Sequence, residues 1–332
     1  MKQKLRYYFF DPNPVHLFLY FVRALFQRKY NIHFPVYSSE FVQITGQEAS
    51  DLIKIKLTLP EPLMISRIGS TELWCLNICR AIHMEKPFME KAKQLIHGDN
   101  IPFWWDSRVF EVIQTHAGFF PAKKNMIERF CELLLKDIKN IDILGSWLAG
   151  EIYFKDELSH CKKIHIHDLE PFFTRDPWTT SLQGKTILVI HPFTESIIHQ
   201  YNRRELLFSD NRILPEFEIK TIKAVQSLGG ANTRYKNWFD ALDFMSGQIA
   251  SEKFDIAIIG CGAYGLPLAA FVKRLGKKAI HLGGVTQILF GIKGFRWEVK
   301  NHYTNLFNEY WIHPLPQEHP VDYKKVESGC YW

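Results

Sequence analysis

Asp255-Ile256-Ala257-Ile258-Ile259 runs directly into Gly260-Cys261-Gly262-Ala263-Tyr264-Gly265. After Asp255 the run is apolar throughout, as a strand buried on both faces should be. The glycines then follow at the G-x-G-x-x-G spacing. Pro267 falls in the first turn of the helix that would come next, where proline is accepted. Gly276 fits that helix's C-terminus. A strand, a glycine turn and a helix in this order are the repeating unit of an α/β fold. Glycines let the backbone approach a ligand, and a helix N-terminus favours an anion.

Outward from this stretch, strand-like and helix-like segments alternate. Lys278 to Leu282 reads as the next strand, and Trp238 to Ser251 as the preceding helix. Phe217 to Ile222 and the wholly apolar Thr186-Ile187-Leu188-Val189-Ile190 read as strands. So do Leu63-Met64-Ile65-Ser66-Arg67-Ile68, Ile141-Asp142-Ile143-Leu144 and the alternating run Lys163 to Leu169. Residues 72–140 look mainly helical, broken by Gly98-Asp99-Asn100-Ile101-Pro102. The pattern predicts a Rossmann-like α/β fold: a mainly parallel sheet with helices on both faces, plus a helical insertion at about 72–140. Residues 61–300 would form this domain. Residues 1–60 would be a basic, aromatic helical segment, and 301–332 a tail docking on the domain. In such sheets ligands bind beyond the carboxyl ends of the strands.

With 46% hydrophobic and 23% charged residues among 332, the chain is neither disordered nor fibrous. A net charge of +6, spread along the chain, permits anionic ligands without marking a nucleic-acid binder. The six Cys form no C-x-x-C pair, which reads as reduced thiols. No early apolar run is followed by a small-residue cleavage site, and no apolar stretch reaches about 18 residues. A cytoplasmic protein is expected. The first thirty residues hold six Lys/Arg against one Asp around Val15-His16-Leu17-Phe18-Leu19-Tyr20-Phe21-Val22-Arg23-Ala24-Leu25-Phe26. Such a helix either packs on the domain or rests on an anionic bilayer, here at the inner membrane face.

Gly260, Gly262, Tyr264 and Gly265 are candidates for a ligand cradle. A dinucleotide site would also need an acid about 20 residues on, for the ribose hydroxyls. From Ile256 to Trp297 there is no Asp or Glu, only Lys273, Arg274, Lys277, Lys278, Lys293 and Arg296 among the charged residues. NAD is therefore not expected, and a nucleotide-sugar fits better. Gly283, Gly284 and Gln287 sit at the next strand end and extend the pocket floor. Gly291 to Trp297 reads as a flap bringing Lys293 or Arg296 to a phosphate, or as an ordinary loop.

Ser66-Arg67-Ile68-Gly69-Ser70-Thr71-Glu72-Leu73 is a strand, a glycine turn and an acid at a helix start. This run resembles the Arg-aromatic-Gly-Asp-x-Glu turn of the bacterial GT-D type glycosyltransferases, and the order of elements over 238–284 is similar too. The resemblance implies a Rossmann-like fold and transfer of a sugar from a nucleotide-sugar to a glycan or lipid-linked acceptor in cell-surface polysaccharide assembly. It places Arg67, Gly69, Ser70, Thr71 and Glu72 beside the donor. It also implies Mn²⁺ or Mg²⁺ at the acidic pair. Here that pair is Ser70-Thr71-Glu72, so Glu72 alone remains as a carboxylate ligand, and a hard cation prefers several oxygens.

His191 and Glu195, after the strand at 186–190, are candidates for the base that takes the acceptor proton. The alternation in Lys163-Ile164-His165-Ile166-His167-Asp168 puts His165 and His167 on one strand face, a weak metal signal with Cys161 or Asp168. Asp168 and Glu170 are secondary candidates for substrate contacts, and Trp147 for ring stacking. No G-x-S-x-G, Walker or H-E-x-x-H motif occurs. The alternatives are an NADP-dependent oxidoreductase and a non-catalytic nucleotide- or glycan-binding protein.

Overall fold

The computed structural model describes residues 13–31, 41–98, 101–227, 233–321, 323–325 and 329–332. Its centre is a sheet of strands β1 (Leu63–Ser66), β2 (Ile143–Ser146), β3 (Lys162–His165), β4 (Thr186–His191), β5 (Glu218–Lys223), β6 (Ile256–Ile259) and β7 (Lys278–His281). The spatial order is β3-β2-β1-β7-β6-β4-β5. Every pairing is parallel, as in Ile65 opposite Ile143 and Ile280, and Ile258 opposite Val189 and Ile280. This is the expected Rossmann-like α/β fold.

The apolar runs are explained by the two faces they serve. Along each strand, alternate side chains point to opposite sides. Met64, Leu144, Leu188, Ile190, Ala257 and Ile259 enter one core. Leu63, Ile65, Ile143, Ile187, Val189, Ile256 and Ile258 enter the other. Each fully buried Ile, Leu or Val contributes roughly 1.5–3 kcal/mol. Helices cover both faces. Helices α1 (Pro14–Tyr30) and α2 (Gln47–Thr58) precede β1. Between β1 and β2 lie α3 (Ser70–His83), α4 (Phe88–His97), α5 (Ser107–Ala117) and α6 (Lys124–Ile138). Further along come α7 (Thr194–Tyr201), α8 (Trp238–Ser251), α9 (Gly265–Arg274) and the short α10 (Val285–Leu289). Parts of α3, α5, α6, α8 and α9 fill the first core, and parts of α2, α7 and α10 the second.

Two local expectations are corrected. β2 continues through Gly145 to Ser146, and a Cβ at Gly145 would lie 2.3 Å from Leu169 Cδ1, so a larger residue would have to displace that side chain. The strand expected to reach Leu169 stops at His165, and Ile166–Leu169 is a 3₁₀ turn. The His165 ring starts that turn by accepting the backbone N–H of His167 (3.3 Å). His165 and His167 therefore do not share a strand face.

Asn13 caps α1 by accepting from Val15 N (2.9 Å), and Pro14 supplies the first turn. Leu19, Tyr20 and Arg23 face inward; His16 stacks on Trp104 (3.9 Å) and Phe26 on His97 (4.7 Å). Phe18, Phe21 and Leu25 remain 64%, 61% and 51% exposed, so one side of the helix is left apolar. Among the described residues no helix is long and apolar enough to cross a membrane.

Candidate functional site

Strand order changes direction between β1 and β7, and ligands bind at such switch points. A cavity of about 480 Å³ opens there, at the carboxyl ends of β1, β2, β4, β6 and β7. Arg67, Trp147, His191, Gly260 and Gly283, each one or two residues past or at a strand end, meet in its wall.

Arg67 leaves β1 and lies over the Trp147 ring at 4.7 Å. Trp147 is fixed in turn by its indole N–H, which donates to Ile68 O (3.0 Å). Burial lowers the Arg67 pKa; the nearby Tyr331, Glu72 and Glu151 oppose that, and Arg296 adds to it as a like charge. Two guanidinium groups thus converge on one cavity, which suits an anion with more than one charge. Glu72 folds back over the turn that precedes it: a Cβ on Gly69 would lie 2.0 Å from its Oε2. Burial raises the Glu72 carboxyl, opposed by its own backbone N–H and by Arg67. Ser70 and Thr71 also line the cavity. These residues do not fit a hard divalent cation. They offer one carboxylate and two hydroxyls, and burial disfavours the charged form of that carboxylate.

The glycine turn is demanded by packing as much as by any ligand. A Cβ on Gly260 would meet Thr286 Oγ1 at 2.5 Å, Gly283 O at 2.6 Å and His191 Cδ2 at 2.8 Å. One on Gly265 would meet His281 Nε2 at 2.2 Å. Gly260, Gly262 and Tyr264 face the cavity, whereas Gly265 lies beneath the His281 ring and is not in its wall. Tyr264 stacks on Trp238 (4.9 Å) and bonds Ser227 Oγ (3.2 Å).

Gly283 and Gly284 also face the cavity. Gln287 lines it, but its amide N–H₂ is engaged with Tyr331 O (3.2 Å), Ile292 O (3.4 Å) and Lys293 O (3.4 Å). The 291–297 segment is clamped rather than a flap. Lys293 N donates to Ile312 O (2.8 Å), Arg296 N to Cys330 O (2.9 Å), and a Cβ on Gly294 would strike Tyr331 O at 2.7 Å. Lys293 therefore stays outside the cavity wall and Arg296 enters it, donating to Tyr331 Oη (2.8 Å). Tyr331 and Trp332 close that side.

His191 is in the wall, but in a form that makes a poor base. Its Nδ1 accepts from Phe193 N (3.0 Å), which leaves the proton on Nε2, and burial pushes its pKa down to about 3. In this neutral form its Nε2–H can only donate. Glu195 lies elsewhere. It is exposed, paired with Lys223 (3.6 Å) and Gln317 (3.0 Å), and is not in the wall. The N–H groups at the start of α7 are capped instead by buried Glu318, which accepts from Glu195 N (2.8 Å) and from the Ser196 hydroxyl.

Three further wall residues carry no local sequence signal. Tyr303 and Lys300 come from a late helical segment, and His116 from the end of α5. Glu170 is buried and accepts the Tyr303 hydroxyl at 2.8 Å. Asp168 is half-buried and outside this cavity. Behind Trp147, Glu151 is fully buried, bonded to the Ser146 hydroxyl and Trp147 N (3.4 Å), and burial pushes its pKa to about 7.

No protein-family model and no curated protein matches this chain. Among solved structures it is similar to one titled as a selenomethionine-substituted domain of unknown function 1792, at 12% identity, over 90% of this chain and 96% of that one, with a TM-score of 0.37.

Proposed function

We propose that the chain transfers a glycosyl group from a nucleoside diphosphate sugar to a hydroxyl of a glycan or lipid-linked acceptor. The observation that carries this reading is the convergence of Arg67 and Arg296 on a cavity at the carboxyl ends of five parallel strands, with Glu72 beside them. The resemblance of the 66–72 turn to the GT-D type enzymes supports it. The two guanidinium groups would hold the diphosphate and stabilise the charge that grows on it as the glycosidic bond breaks. Glu72, whose carboxyl burial raises, would take the acceptor proton. His191 would donate through Nε2–H. Trp297, Tyr331 and Trp332 would offer ring surfaces to base or sugar. No step runs through a cation at Ser70-Thr71-Glu72.

The work would be done at a membrane face, with the apolar side of α1 and its last-turn Arg28 and Lys29 against anionic lipid.

Thermal unfolding tests the donor. UDP-, GDP-, CMP- and dTDP-sugars are compared with NAD(H) and NADP(H), each with and without Mn²⁺. A ligand at about 100 times its Kd adds roughly 2.7 kcal/mol, and one sugar nucleotide is expected to do so. In Arg67→Ala that shift should fall, because a lost charge-assisted contact costs about 1.5–3 kcal/mol, or roughly 10–100-fold in Kd. A shift with NADP(H) alone would replace this reading by an oxidoreductase. A sugar-nucleotide shift without any turnover would leave a binding protein.

A further inference from the structure

His167, Glu170 and His302 each offer one ligand atom, and these atoms all lie within 4.8 Å of one another. His167 belongs to the 3₁₀ turn after β3, Glu170 follows it, and His302 lies in the short helix Asn301–Thr304. The fold alone brings the two segments together.

Three features make this more than a chance cluster. First, His167 Nδ1 and Glu170 Oε1 are 3.0 Å apart. They are hydrogen-bonded, and two donors bound to one ion at about 2.0–2.1 Å lie roughly 3.0–3.4 Å from each other, so a metal could replace the shared proton with little movement. Second, Glu170 is only 3% exposed, and among the described residues its ion-pair partner is His167, with no Lys or Arg beside it. A buried carboxylate is held by a positive charge, which either a proton on His167 or a metal ion in its place supplies. Third, the Tyr303 hydroxyl lies 2.8 Å from both carboxylate oxygens and shares its one proton between them, as an outer-shell donor that orients a ligating carboxylate can.

We propose that His167, Glu170 and His302 bind a borderline divalent metal of the Zn²⁺ type at the edge of the cavity. Two imidazoles and one carboxylate suit Zn²⁺ or Co²⁺ better than Mg²⁺ or Ca²⁺. Both histidines are exposed, so the ion has an entry path and the rings can close onto it. Three protein ligands leave a fourth position open, and His167 and Glu170 both line the cavity. A phosphate or hydroxyl oxygen in the cavity could take that position. This last role rests on the donor reading above, while the metal site itself does not.

Co²⁺ titration of the tag-free chain, followed by visible absorption, reads the site without any assay of turnover. One equivalent should bind with the intense bands of a low-coordinate site, and Zn²⁺ should displace it. His167→Ala and His302→Ala alter exposed residues, and each should weaken Co²⁺ at least ten-fold with an unchanged far-UV circular dichroism spectrum. His116→Ala, on another part of the cavity wall, should bind as the parent does. Tyr303→Phe should weaken binding about ten-fold through Glu170. Absence of such bands in the parent chain overturns the proposal. So does binding of equal strength in both His167→Ala and His302→Ala, which would mean surface adsorption only. Either result leaves the sugar-nucleotide test untouched.

Discussion

Glu151 shows how a single buried acid couples the site to pH. Its pKa near 7 lies above the ordinary 4.5 because burial penalises the charged form more than Ser146 and the backbone N–H groups support it. The folded protein therefore holds this proton more tightly than the unfolded chain. The resulting stabilisation is complete below about pH 4.5 and is lost as pH rises through 7. The spread corresponds to on the order of 3 kcal/mol. Glu151→Gln keeps the shape without the charge: its Oε1 can still accept from Trp147 N, and its N–H₂ can donate to Ser146 Oγ. Urea unfolding at pH 5 and pH 8 should show the parent losing more stability than this variant. Equal slopes would mean that Glu151 ionises at its ordinary value. At the same scale, Arg67 and Trp147 act as a unit: the guanidinium lies over the ring at 4.7 Å, and the indole N–H ties the ring to Ile68 O past β1.

At the scale of elements, the glycines divide by what surrounds them. Gly260→Ala would press a methyl against the Gly283 carbonyl, which is backbone and cannot turn aside. A loss of roughly 1–3 kcal/mol is expected from such overpacking. Gly247→Ala, inside α8 with nothing within 4 Å, should instead gain about 0.5–1 kcal/mol from helix propensity. Thermal unfolding of the two variants separates a packing glycine from a dispensable one; similar effects would refute the close approach of β6 and β7. Helix α1 makes a different prediction. Co-sedimentation with vesicles containing phosphatidylserine should be strong at low salt and weaken in Phe18→Ser/Phe21→Ser, both exposed. Binding that ignores both the lipid charge and the substitutions would assign this face to something other than a bilayer.

For the molecule as a whole, the last described residues complete the cavity. Cys330 O and Tyr331 O accept from Arg296 N and Gln287 Nε2, and Trp332 packs on Phe193 (5.9 Å). Tyr331→Ala/Trp332→Ala should keep the circular dichroism spectrum while lowering the thermal shift given by a sugar nucleotide. An unchanged shift would place the ligand away from this wall.

The sheet was legible in the chain because its strands are local and unambiguous. Thr186–Ile190 and Ile256–Ile259 are apolar on both faces, which only a covered parallel strand requires. Gly260, Gly283 and Arg67 were legible as well, since strand ends carry sites in this architecture. Errors arose where a side chain's partner is distant in sequence. Glu195 reads as a helix-start acid facing the site, but Glu318, more than a hundred residues on, takes the helix N-terminus and Glu195 faces solvent. His191 reads as a base until burial and the Phe193 N–H make it a donor. Lys293 and Arg296 are alike as nearby cations, and the Ile292–Ile312 bridge together with the Arg296 N–Cys330 O bond sets which one faces the cavity. The sequence by itself determined the strands, their covered faces and the end of the sheet where a ligand belongs, because each depends on neighbours within a few residues. Tertiary structure alone decided that Arg67 meets Arg296 and that His167 and Glu170 meet His302, because those encounters depend on how segments more than a hundred residues apart close over the same strand ends.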